Sequence, residues 1–189
     1  MGTSVNQPSP KTINWRAAQA TYRNADTPVE RVLREMWRAA TSQGGGDLAN
    51  LLAQPIVARV REIVLQGGDA TQVAMAASRE IAESRQSSFA ADIARRAAVQ
   101  SVTAENRAQA YSERVFAEAS NYLLSRDLPG YVGDVGRNKT VSDSFQFKRA
   151  VLEAAANIVR TVGPPPSNTP EAWYDHTTAV VDALKRRSK

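Results

Sequence analysis

From Asp69 to Leu128 the chain runs sixty residues without proline or glycine and holds fifteen alanines, between Gly67-Gly68 and Pro129-Gly130. Glycine and proline are the strongest interrupters of regular structure, so this third of the sequence predicts helix. Within it Phe89, Ile93, Ala97, Ala104, Ala108, Tyr111, Val115, Ala119 and Tyr122 recur at helical spacing and fall on one face. The stripe is mostly small-sided, which lets helix backbones approach closely, so it predicts packing against other helices. A straight helix of this length would run about 90 Å, too long for a compact domain. The spacing of Val73, Ala77 and Ile81 is lost over Ser84-Arg85-Gln86-Ser87-Ser88, which places a turn there; Gln100 to Thr103 is a second candidate break.

Start and stop signals divide the rest. Asp69 with Gln72 forms a capping box at the head of the long stretch, and Thr27-Pro28-Val29-Glu30 reads as cap, first-turn proline and capping-box glutamate. The latter launches a helix from Pro28 to about Ser42, burying Val32, Leu33, Met36 and Trp37 with Arg31, Arg34 and Arg38 at its edge. It ends at Gly44-Gly45-Gly46, a candidate hinge. Asp47 to Gln66 is the most apolar stretch, split by Pro55 into a short helix to about Ala53 and a second from Pro55 to Gln66, the expected centre of the core. Thr140 and Asp143 are spaced as a capping pair for a helix carrying Phe145, Phe147, Val151, Leu152, Ala155, Ile158, Val159 and Val162 to Gly163. Thr169-Pro170-Glu171 starts a last helix through Trp173, Tyr174, Val180, Val181 and Leu184. Near the front, Thr12 to Asn24 places Trp15, Ala18 and Tyr22 on one side of a short helix.

No strand-like alternation competes with this pattern. The expectation is an all-α bundle of about seven helices, with a Gly-rich loop before the penultimate one. An N-terminal arm with a short helix occupies 1–26 and the helical core 27–163. A Pro164-Pro165-Pro166 spacer, the C-terminal helix and a basic tail occupy 164–189.

Composition narrows the class. With 42% hydrophobic and 23% charged residues the chain is ordinary for a globular protein. It has no cysteine, which excludes a disulfide framework and suits a reducing compartment. No run of eighteen apolar residues occurs and no apolar signal core lies near the start, so the expected place is the cytoplasm or the interior of an assembled particle. The net charge is +5, carried by nineteen arginines against five lysines. Arginine makes forked contacts to phosphate and carboxylate, so the bias fits a polyanion partner or many intersubunit ion pairs; a high-GC coding sequence produces the same bias.

Three arrangements of cations are candidate polyanion sites. Gly130, Gly133 and Gly136 lead into Arg137 and Lys139 just before a helix start, where backbone amides and the helix dipole favour an anion; the glycine spacing is that of neither a P-loop nor a dinucleotide fingerprint. Arg85, Arg96 and Arg107 are spaced by eleven with Arg114 seven further, so an unbroken helix would line them along one strip beside the apolar stripe. Arg95-Arg96 and Lys148-Arg149 are adjacent basic pairs within helices. The competing reading is local pairing, since Asp92 lies four before Arg96 and Glu118 four after Arg114.

Catalysis has little support. His176 is the single histidine, with no cysteine to activate and no metal-ligand partner at zinc spacing, and no acidic pair sits in an apolar setting. No cofactor or metal is expected. The preferred expectation is therefore a non-catalytic, self-assembling helical protein that meets nucleic acid, RNA or DNA, through its arginines, as a coat or nucleoprotein subunit does. Its N-terminal arm and proline spacer would reach to neighbouring copies. The alternatives are a helical protein–protein adaptor, and a small enzyme or nucleotide binder using the Gly130–Gly136 loop.

Overall fold

Helix starts are written into the chain as local hydrogen bonds, and the computed structural model, which describes residues 10–42, 47–85, 88–133 and 136–186, realises most of them. Among the described residues there are nine α-helices and no strand: α1 Pro10–Arg23, α2 Val29–Ala40, α3 Leu48–Leu52, α4 Pro55–Gln66, α5 Ala70–Ser84, α6 Ser88–Ser101, α7 Arg107–Asp127, α8 Val141–Val162 and α9 Pro170–Lys185. A 3-10 turn, Leu128–Tyr131, follows α7.

Two capping boxes form as read. Asp69 Oδ1 accepts from the Gln72 amide at 2.9 Å while Gln72 Oε1 accepts from the Asp69 amide at 3.0 Å, and Thr140 and Asp143 reciprocate in the same way at the head of α8. Thr169 caps α9 by accepting from the Ala172 amide at 3.2 Å. The cap of α2 differs from the expectation by one residue. Pro28 takes an extended ψ of 145° and becomes the N-cap itself, with no side-chain cap, so the helix starts at Val29. Thr27 is left with its carbonyl free to accept from the Arg137 guanidinium instead.

Two breaks cut the sixty-residue stretch near the expected places. Arg85 ends α5 in the left-handed region at φ 52°, and Asn106 caps α7 after the turn that follows Ser101. The stripe therefore folds back on itself. Phe89 at the start of α6 meets Tyr122 near the end of α7 edge-to-face, ring centroids 4.6 Å apart, which makes the pair an antiparallel hairpin. Of the alanines in that stripe Ala97 and Ala119 are fully buried inside the chain, while Ala104 and Ala108 are half-buried.

Three buried aromatic groups tie helices together through their polar atoms, the first two involving α7 of this hairpin and the third joining α9 to α3. Trp37 Nε1 on α2 donates to Ser120 Oγ on α7 at 3.1 Å, and Tyr111 Oη on α7 donates to the Val57 carbonyl on α4 at 2.7 Å. Trp173 Nε1 on α9 donates to the Leu52 carbonyl at 2.8 Å. A buried donor left without a partner costs about 1–3 kcal/mol, so these bonds fix which helix lies where.

Tyr22 and Trp173 belong to the same continuous apolar core as Trp37 and Phe116. The helix before residue 27 and the helix after residue 164 both pack on that core. On α9 the buried face is Trp173, His176, Thr177, Val180 and Leu184, while Tyr174 is 54% exposed; it lies about 100° from the line that Trp173 starts. On α8, Phe147, Val151, Ala155 and Val159 form the buried line, spaced by four, and leave Phe145 64% exposed. The terminal residues 1–9 and 187–189, the Gly44–Gly46 hinge candidate, and Gln86-Ser87 within the first break lie outside the described residues.

Candidate nucleic-acid interface

Several of the predicted cations are held by the fold. Arg107 donates to the Gly68 carbonyl at 2.9 Å and the Val64 carbonyl at 3.4 Å, closing the C-terminal end of α4. Arg137 holds the connection between α1 and α2: its Nη2 donates to the carbonyls of Asn24 at 2.9 Å, Ala25 at 3.3 Å and Thr27, and its guanidinium lies over the Phe147 ring at 4.4 Å. Carbonyls at and just beyond a helix end lack the donors that an intact helix supplies, so they draw guanidinium groups as a phosphate would. Burial lowers the Arg137 pKa from its ordinary value.

The glycine loop serves the same contact. Gly133 N donates to the Asn138 carbonyl at 2.8 Å and Asn138 Nδ2 to the Tyr22 carbonyl at 2.9 Å, so the loop closes on the end of α1. The start of α8 is already occupied by the Asp143 carboxylate, which repels an anion there. Lys139 stays exposed beside it.

The eleven-residue arginine row does not survive the two breaks. Arg85 sits at the end of α5, Arg96 on α6, and Arg107 and Arg114 on α7. Arg95 and Arg96 share the Asp92 carboxylate at 3.0 Å each, and Arg96 also reaches Glu118 at 4.0 Å.

Three predicted cations do meet, in a groove between α7 and α8. Arg114, Ala117, Glu118 and Asn121 line the α7 side at intervals of three and four, and Phe145, Lys148, Arg149, Leu152, Ala156 and Arg160 line the α8 side in the same rhythm. The groove encloses about 620 Å³. Among the described residues neither Arg114 nor Arg149 makes an ion pair, and Lys148 Nζ is held only by Ser125 Oγ at 3.5 Å. Arg160 is tied by Glu113 through two bonds of 3.1 and 3.0 Å, which raise its pKa. Glu113, Glu118 and Glu153 supply the opposing charge along the groove.

Arg160 and its carboxylate partner are absent from the sequence-derived set. The signal was available, because Arg160 follows Arg149 by eleven residues on a helix that is not interrupted.

His176 proves to have a partner 64 residues away. Its Nε2 shares a hydrogen bond with Ser112 Oγ in the core, between the rings of Phe116 and Trp173 at 6.2 and 5.3 Å. Burial, with the charge of nearby Arg61, lowers its pKa to about 4, so the imidazole is neutral at physiological pH. A hydroxyl beside an imidazole is one half of a nucleophilic arrangement, but Ser112 is fully buried and no substrate atom can reach it.

Among the described residues no group of three His, Asp or Glu side chains is placed to hold a metal ion, and no helix is long and apolar enough to cross a membrane. Fold and groove together define an all-α protein with a mixed-charge cleft between two long helices. Compared with protein-family models, with curated proteins and with solved structures, the chain matches none.

Proposed function

We propose that this chain is a non-catalytic, nucleic-acid-binding helical protein whose contact surface is the α7–α8 groove. The observation that carries the reading is the meeting of Arg114 with Lys148 and Arg149 across that groove, with both arginines free of carboxylates. Cations left without a carboxylate partner contribute little as structural ties, and they retain the capacity to displace counterions from a phosphate backbone. Two of the three acids are engaged elsewhere, Glu113 by Arg160 and Glu118 by Gln100 at 2.7 Å and by Arg96, which leaves Glu153 to oppose Arg114, Lys148 and Arg149. Self-association is no part of the proposal, because Ala97 and Ala119 of the seam that invited it are packed within the chain.

The test is fluorescence anisotropy of a labelled oligonucleotide titrated with protein between 50 and 200 mM salt. Affinity should fall linearly with salt on logarithmic axes, and replacing Arg114 and Arg149 by alanine together should reduce the slope by about two. Absence of binding at 50 mM salt, or an affinity indifferent to salt, overturns the reading.

A further inference from the structure

Phe145 is the largest side chain that the α8 pattern predicts in the core and the fold leaves outside. The buried line of α8 is complete without it, and the ring is 64% exposed. It borders a second depression of about 310 Å³, shared with Leu128, Pro129, Val132, Val141 and Lys148. Val141 and Val132 are also open to solvent, 75% and 38% exposed. Phe145 and Lys148 line both this depression and the α7–α8 groove, so an apolar platform continues directly into the cationic channel.

We propose, resting on the nucleic-acid reading above, that the ligand is single-stranded and that Phe145 is the platform on which an unpaired base stacks. Phe145, Lys148 and Arg149 stand at i, i+3 and i+4, so the ring and two cations share one helix face. A phosphate held by Lys148 and Arg149 leaves the adjoining base beside the ring. In a duplex the base faces are covered by their neighbours and the ring would meet sugar and phosphate. Only a splayed-out base gains from an exposed aromatic face, and such stacking is tolerant of sequence because every base has a π-face. Charge gives the strand a direction of entry. The Phe145 end of the groove carries Lys148 and Arg149, whereas the far end is closed by the Arg160–Glu113 pair and by Glu153.

The experiment compares fluorescein-labelled oligothymidine with a duplex of equal length by anisotropy, using wild type and Phe145→Ala. The single strand should bind the wild type at least tenfold more tightly than the duplex. Phe145→Ala should lose about tenfold on the single strand and nothing on the duplex, with the thermal melt unchanged because the ring is outside the core. Phe145→Trp should keep the affinity and add emission that the oligonucleotide quenches. Equal affinity for both strands, or a Phe145→Ala variant that binds oligothymidine as wild type does, overturns the stacking inference while leaving the groove reading intact. A loss of binding to both by Arg114→Ala with Arg149→Ala, set beside these, shows the groove itself at work; failure of wild type to bind either ligand overturns both. If Phe145→Ala changes only the mass of nucleic-acid-free protein on a sizing column, the platform is a protein interface and the inference fails.

Discussion

Gly136 approaches Arg23 so closely that a Cβ built on it would lie 2.3 Å from the Arg23 carbonyl oxygen, and its φ is +114°. Both facts demand glycine, the one by contact and the other by backbone conformation. The approach lets the Arg137 amide donate to that same carbonyl at 3.3 Å, and it sets the Arg137 guanidinium over the next carbonyls. Gly136→Ala should therefore destabilise the fold by on the order of 2 kcal/mol or more, read as a lower urea midpoint at unchanged slope. Gly130, where a Cβ would meet nothing within 4 Å, is the internal control and should tolerate alanine far better.

Arg137 and Arg114 separate structural from binding cations. Arg137→Ala removes a guanidinium that donates to three carbonyls of the α1–α2 connection, so stability should drop by roughly 1.5–3 kcal/mol. Arg114→Ala touches an exposed side chain without an ion pair and should change stability by no more than about 0.5 kcal/mol. In oligonucleotide titrations the order should reverse, with Arg114→Ala the more damaging. Equal losses of affinity for the two variants would place the binding surface elsewhere.

What could be read from the sequence was what acts over four residues. The Asp69–Gln72 and Thr140–Asp143 boxes, the Thr169 cap and the Pro55 split depend on neighbours along the chain, and they appear where the letters place them. The cations were legible as charges, but their partners were not. Arg107 donates to a carbonyl 43 residues away and Arg137 to one 113 residues away, distances at which only the fold decides who meets whom. The eleven-residue count holds only on an unbroken helix: the turn between Arg96 and Arg107 resets it, whereas on unbroken α8 the same count links Arg149 to Arg160.

His176 makes stability depend on pH in a known direction. Its folded pKa of about 4 lies below the ordinary 6.5, so between those values the unfolded chain binds a proton that the folded chain refuses. Its contribution is complete above about pH 6.5 and is lost progressively as the pH falls to about 4, roughly 3 kcal/mol over that window. Because there is one histidine, its imidazole resonance can be followed alone by NMR. It should stay in the neutral position down to about pH 5; a midpoint near 6.5 in the folded protein would contradict the buried pairing with Ser112.

Glu113 offers the most direct way to ask whether the groove is a binding surface or a solvated one. Its carboxylate takes both bonds from Arg160 and one from Gln109 Nε2 at 3.0 Å, and so withholds from the groove a cation that stands eleven residues beyond Arg149. Arg160 is exposed, so the pair adds little to stability and its removal should leave the thermal midpoint nearly unchanged. Glu113→Gln keeps the side-chain shape, deletes one negative charge and leaves the Arg160 charge uncompensated, held only by neutral acceptors such as Asn157 Oδ1 at 2.8 Å. If phosphates run along α7–α8, oligonucleotide affinity should rise several-fold at 100 mM salt and the salt slope should steepen by about one, since one more cation then displaces a counterion. A solvated groove predicts no change in either. A gain in affinity on removing a carboxylate cannot come from general damage to the fold, which is what makes the direction of the effect decisive.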